Sequence, residues 1–250
     1  MKIGYASDIH NEFGAREINV PPDIDVLCLA GDIEVKPRDS RMVLELFRTQ
    51  TRAPILYILG NHEYYGHLYQ NVVPQYKAQI SKIENAYVLE RESIIIGDTR
   101  FLGTTLWSNL QNPIHALRAE QYMNDFRKIQ VERQGGSRSR LRATDYVREF
   151  DTSCLWLADE MQKNWNGKTV VVTHHSPSGI TCAAEHKSDI LRYAYHSDLD
   201  NFIFDTQPEL WIYGHDHKSA IHQLGSTVIA SNQLGYPHEQ LGSTIAVIEI

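Results

Sequence analysis

The chain has 250 residues, 42% of them hydrophobic and 22% charged, with a net charge of −7 when His is neutral. That length can bury a sizeable core, and the mix is that of a globular protein rather than a disordered one. The acidic balance argues against a dedicated nucleic-acid binder, and no apolar run approaches the length of a membrane span.

Residues 2–6 read as a first strand, ending in Ser7-Asp8-Ile9-His10. The strand starts at once, and Asp8 and His10 interrupt any leader-like apolar stretch, so a cytoplasmic chain is expected. The 3 Cys are odd in number and far apart, as expected of reduced, packed thiols. Residues 25–30 form a second strand ending in Gly31-Asp32. Met42, Val43, Leu46 and Phe47 fall at helical spacing, so residues 40–50 are predicted to be an amphipathic helix. A third apolar run, 55–59, delivers Gly60-Asn61-His62-Glu63, where the Gly marks a sharp turn or a close approach. Residues 68–82 read as helix, with Pro74 a kink or a boundary. Strand, helix, strand in this order favours an α/β fold with parallel pairing, whose ligands gather beyond the carboxyl ends of the strands.

The middle of the chain reads differently. Residues 86–89, 93–96 and 100–106 are short strands separated by turn residues, which suggests hairpins. Residues 130–142 read as an exposed inserted loop carrying Arg133, Arg138, Arg140 and Arg142 around Gly135-Gly136. The plain reading is a solvated charged loop; the functional one is a flap that grips an anionic substrate. Residues 144–164 form a long helix, and 169–172 a buried strand tipped by Thr173-His174-His175-Ser176-Pro177. After a short helix at 198–206, a strand at 209–213 ends in Gly214-His215-Asp216-His217. The last segments, 219–224, 227–231 and 244–250, read as antiparallel strands completing a second sheet.

Five strand tips thus carry Asp8 and His10, Asp32, Asn61 and His62, His174 and His175, and His215 and His217. Any one of these has a bland explanation, such as a helix cap for Asp8 or Asp32; the joint pattern does not. Carboxylate, imidazole and amide oxygen suit Mn, Fe or Zn rather than Ca. The ligands exceed the needs of one ion, and Asp32 is best used as a bridge between two. Two ions about 3.5–4 Å apart can share an attacking hydroxide and clamp a phosphoryl group. His62, beside Asn61, is placed to give the leaving oxygen its proton. On an extended tip, His215 and His217 would point to one side and Asp216 to the other. His115, His196, His222 and His238 read as ordinary polar residues.

The ordered blocks Asp8-Ile9-His10, Gly31-Asp32, Gly60-Asn61-His62-Glu63, His174 and Gly214-His215-Asp216-His217 resemble the calcineurin-like metallophosphoesterase family. The resemblance implies two stacked mixed β-sheets flanked by helices, a four-layer αββα sandwich, in one domain over residues 1–250 with the 130–142 segment inserted. It implies two divalent or trivalent transition-metal ions. By motif, Asp8, His10 and His217 would bind one, Asn61, His174 and His215 the other, and Asp32 would bridge them. His62 would be the proton donor, and Glu63, where many members have Asp, would orient it. His174 and His175 compete for one ligand position; His174 is favoured because it comes first after the strand. His175, Arg138, Arg140 and Arg142 are candidate substrate contacts. A small phosphate ester, monoester or diester, is the expected substrate. A DNA-repair type nuclease is disfavoured by the acidic charge, and a non-catalytic scaffold by the complete ligand set.

Overall fold

The five apolar runs that end in polar clusters are all strands, and their neighbours bring those ends together. The computed structural model describes residues 1–182 and 187–250. The chain begins with β1 (Lys2–Ala6), β2 (Val26–Ala30), α1 (Pro37–Gln50), β3 (Ile55–Ile58), α2 (Tyr69–Ile80) and β4 (Ala86–Val88). It continues through β5 (Glu92–Ile96), β6 (Thr99–Thr104), α3 (Pro113–Tyr122), α4 (Asp125–Lys128), β7 (Gln130–Glu132), β8 (Arg138–Arg140) and α5 (Ala143–Gln162). The remainder is β9 (Lys168–Thr173), α6 (Arg192–Tyr195), α7 (Asp200–Thr206), β10 (Leu210–Ile212), β11 (Ala220–Leu224), β12 (Thr227–Ser231) and β13 (Ala246–Glu249).

One sheet has the order β13-β1-β2-β3-β4 and the other β11-β12-β10-β9-β6-β5. β1 to β4 run parallel, and Ala6 pairs with Leu29 while Ala30 pairs with Ile58, so three carboxyl ends are level. In the second sheet β9 and β10 are likewise parallel, with Val172 opposite Ile212. Strands buried on both faces read as continuous apolar runs, and their alternation sorts the side chains between layers. Val26, Cys28 and Ala30 of β2 pack with Val170, Val172 and Ile212 between the sheets. Leu27 and Leu29 face the other way, in a cluster with Val43, Leu44 and Phe47 of α1 and Val72 and Tyr76 of α2. Across the molecule, Val171 and Trp211 share a cluster with Tyr146, Phe150 and Leu157 of α5. The layers are therefore helix, sheet, sheet, helix. No helix among the described residues is long and apolar enough to cross a membrane.

Four expectations need correction. In α1 the buried residues are Ser40, Val43, Leu44 and Phe47, whereas Met42 and Leu46 are exposed. The true stripe follows i, i+3, i+4, i+7, and Leu44 rather than Met42 falls on it. Residues 86–88 do not form a hairpin with the next strand; they join the first sheet parallel to β3. The last strand does not complete the second sheet but returns to pair antiparallel with β1. Residues 130–142 are not a loop. They contain the antiparallel pair β7 and β8, held by buried Ile129, Val131 and Leu141.

Candidate metal centre and cleft

The chain leaves its strands by tight turns at this edge. Asp8, His10, Asp32, His215 and His217 all have left-handed backbones, with φ of 54°, 50°, 56°, 86° and 54°. Non-glycine residues rarely adopt this conformation, and such strain collects at functional sites. The tip holding His215 and His217 is thus coiled rather than extended, because β10 stops at Ile212. The two imidazoles part: His215 joins His174, and His217 joins His10. Gly60 is required where it stands. A Cβ there would lie 2.1 Å from Asp32 Oδ1 and 2.7 Å from the His174 ring.

Seven expected ligands converge in two groups. In the first, His10 Nε2 lies 3.0 Å from His217 Nε2 and 3.7 Å from Asp32 Oδ2, and His217 Nε2 lies 3.6 Å from Asp8 Oδ1. In the second, His174 Nε2 is 3.0 Å from Asn61 Oδ1, 3.2 Å from His215 Nδ1 and 3.4 Å from Asp32 Oδ1. Asp32 turns one oxygen to each group.

The protons in these groups can be placed from their outer partners. His174 Nδ1–H donates to the Ala30 carbonyl at 2.8 Å, because a carbonyl only accepts. Asn61 Nδ2 donates to Asp125 Oδ1 at 2.9 Å, which turns Asn61 Oδ1 inward. Burial, then neighbouring His175, holds His174 well below the ordinary imidazole pKa, so its inward Nε2 is a bare lone pair. His174 Nε2, Asn61 Oδ1 and Asp32 Oδ1 therefore converge as acceptors, with His215 Nδ1 beside them. On the other side, His10 Nδ1–H donates to Glu12 and His217 Nδ1–H to Glu239, at 3.2 and 2.7 Å. Burial lowers the His10 pKa despite Glu12. Among the described residues no Lys or Arg pairs with Asp8, Asp32 or Glu63, all buried. Lone pairs and buried carboxylates at these spacings fit cations, and the nitrogen and oxygen donors fit transition metals.

His62 Nδ1–H donates 2.8 Å to Glu12 Oε1, and its Nε2 lies 3.9 Å from Asp32 Oδ2. Glu63 does not orient it. Glu63 accepts from the backbone N–H of Asp32, Ile33 and Gly60 and from Tyr57, at 2.6 to 3.0 Å. It fixes the turns that present the ligands. Burial would raise the Glu12 carboxyl, but its bonds to His10 and His62 outweigh this and lower it to about 2. His175 is fully buried and packs behind the ligands, its ring 4.1 Å from that of His215, while its nitrogens point elsewhere: it shares a hydrogen bond with the Tyr146 hydroxyl at 2.8 Å. Burial lowers its pKa to about 3. It is a packing residue and not a substrate contact.

A cleft of about 350 Å³ opens over the cluster, lined by Asp32, Asn61, His62, His215 and His217. Its walls combine Tyr65, Tyr122, Met123, Leu191, Tyr195 and Tyr236 with the polar Asn124, Asp125, Asp216 and Glu239, and no Lys or Arg is among its described lining residues. Arg138, Arg140 and Arg142 do not reach it; all three are exposed. Sequence reasoning missed Glu12, Tyr65, Asp125, Tyr236 and Glu239. Glu12 alone carried a signal, two residues beyond His10.

Known proteins resemble this chain in sequence and in fold. The sequence model of the family described as calcineurin-like phosphoesterase matches residues 1–219. A protein of Acanthamoeba polyphaga mimivirus, called uncharacterized protein L509, is 27% identical over 265 residues, spanning 95% of this chain and 92% of its own. Phosphopantetheinyl hydrolase (PptH) from Mycobacterium tuberculosis superposes with a TM-score of 0.72 at 15% identity, over 95% of this chain and 90% of its own. A dimetal phosphatase from Danio rerio gives 0.53 at 13% identity, over 94% and 88%. The two structural likenesses are likenesses of fold.

Proposed function

The chain belongs to the calcineurin-like phosphoesterase family, and from that premise we propose that it hydrolyses a small phosphate ester with two transition-metal ions and His62 as proton donor. Asp8, His10 and His217 would hold one ion and Asn61, His174 and His215 the other, with Asp32 offering an oxygen to each. Such ions supply Lewis acidity, drawing charge from phosphoryl oxygens and making coordinated water acidic enough to attack at neutral pH. The observation that carries the reading is the pair of facing acceptors, His10 Nε2 and His217 Nε2, 3.0 Å apart with both Nδ1–H groups spent on carboxylates.

The protein's own groups do the rest. His62 faces the cleft with Nε2 while Glu12 holds Nδ1–H, so Nε2 is the nitrogen that gives up a proton to a leaving oxygen. Tyr65 and Asp125 fix the Asn61 amide with its oxygen inward. The tyrosine-lined walls favour a single phosphate on an apolar or aromatic group. With no Arg or Lys in the described lining, a polyphosphate or a nucleic-acid strand finds no grip there.

Metal analysis after loading with Mn, Fe or Zn should give two ions per chain. Activity should then appear in a panel of phosphomonoesters, phosphodiesters and cyclic nucleotides. Full activity with one ion, or no uptake of metal, would end the dinuclear reading.

A further inference from the structure

One carboxylate oxygen touches both a candidate ligand and the candidate proton donor. Glu12 Oε1 accepts from His62 Nδ1 at 2.8 Å and from His10 Nδ1 at 3.2 Å, while Glu12 Oε2 is buried without a partner. The two rings meet edge to face, with centroids 4.4 Å apart. Glu12 sits on a short 3-10 turn, Asn11–Phe13, directly after His10, whose left-handed backbone aims the turn back at the site.

We infer that Glu12 is a positioning residue that sets His62 as the proton donor and His10 as a ligand through one shared oxygen. The chemistry follows from the tautomers. A carboxylate only accepts, so it selects the Nδ1–H form of each ring. For His10 this leaves Nε2 as the lone pair facing His217 and Asp32. For His62 it turns Nε2 to the cleft. When His62 in its doubly protonated form gives the Nε2 proton to a leaving oxygen, it ends as the neutral Nδ1–H tautomer that Glu12 already stabilises. Partners of this kind hold ligand and acid in register, and their loss costs about 10–100-fold in metal affinity or activity. The role of His62 as acid rests on the function proposed above; the contacts of Glu12 do not.

The test uses the full chain and three readouts. Imidazole nitrogen NMR of the metal-free protein should show His62 as the Nδ1–H tautomer, and Glu12→Ala should erase that preference. Titration with Mn alone should show Glu12→Ala weakening uptake by about 10-fold or more. In kinetics, Glu12→Ala should lower kcat by about 10–100-fold with KM little changed, more for an alkyl phosphate than for nitrophenyl phosphate. Glu12→Gln keeps an accepting oxygen where Oε1 stands and places its NH₂ at the unpartnered position, so it should restore most of each. In a His62→Ala background, Glu12→Ala should lose the leaving-group dependence. If Glu12→Ala leaves both the His62 tautomer and Mn affinity at wild-type values, the inference is overturned. If wild type hydrolyses no ester, the functional reading fails and the first two readouts still decide the role of Glu12.

Discussion

Glu63 carries four donors on two oxygens at zero exposure, and its worth is structural before it is chemical. Removing it would leave three buried N–H groups and a tyrosine hydroxyl without an acceptor. Each orphan costs about 1–3 kcal/mol, and breaking such a buried network as a whole costs about 3–5 kcal/mol. Glu63→Ala should therefore lower the melting temperature by about 10 °C or more in a chain this long. Glu63→Gln can keep the bonds to Asp32 and Gly60 and lose only Ile33, so it should fall between the two. A Glu63→Ala melt within about 2 °C of wild type would show that the clamp contributes little. The same lesson covers Glu12 and Asp125. Both could be read as solvated acids in sequence, because His62 lies 50 positions from Glu12 and Asn61 lies 64 from Asp125. By contrast, Asp8, His10, Asp32, Asn61, His174, His215 and His217 were legible, because each ends an apolar run and their residue types share one chemistry.

The hairpin at 130–142 shows where element-scale reading failed. Its Arg and Gly content looked like a mobile loop, but its few apolar residues are what bind it down. Gln130 bridges to Leu68, Gln70 and Glu132 exchange two bonds, and Arg133 forks onto Asp145 at the start of α5, both contacts at 2.6 Å. Gly135 and Gly136, at φ of +83° and +79°, form the turn rather than a hinge. Changing Arg138, Arg140 and Arg142 to Ala should therefore leave kcat/KM within about two-fold of wild type, since none lines the cleft. Asp145→Ala should instead cost about 1–2 kcal/mol, through the lost cap and fork. Burial alone would raise the Asp145 carboxyl, but Arg133 and the Arg142 amide outweigh it and lower it. Its contribution is thus present above the ordinary carboxylate range and fades as pH falls through the lowered value. Urea melts of the two proteins should converge in acid; a gap that widens there would refute the assignment. The mistaken strand placements have a related cause. Alternation fixes which faces of β4 and β13 are buried but not which sheet they join, since both sheets share one apolar interior.

At the scale of the molecule, the centre lies where the two sheets, packed through apolar side chains between them, bring their strand ends together. Asp8, His10, Asp32 and Asn61 follow strands of one sheet; His174, His215 and His217 follow strands of the other. Ions bound there hold the folded chain alone, so they should stabilise it as a whole. At a hundred times the dissociation constant the gain is about 2.7 kcal/mol per site, or about 5–10 °C in a chain of this size. Asp32 gives this a test of opposite signs. Its buried carboxylate sits beside those of Glu63 and Asp8 with no Lys or Arg to offset it among the described residues. Asp32→Asn removes that repulsion while its amide oxygen can still accept from the His62 backbone N–H, now at 2.9 Å from Oδ1. In chelator the variant should melt at or above wild type. With Mn added, wild type should rise by several degrees and Asp32→Asn should stay nearly still. A variant that melts well below wild type in chelator would mean that Asp32 serves the fold first, and one that rises with Mn as wild type does would remove Asp32 from the ligand set.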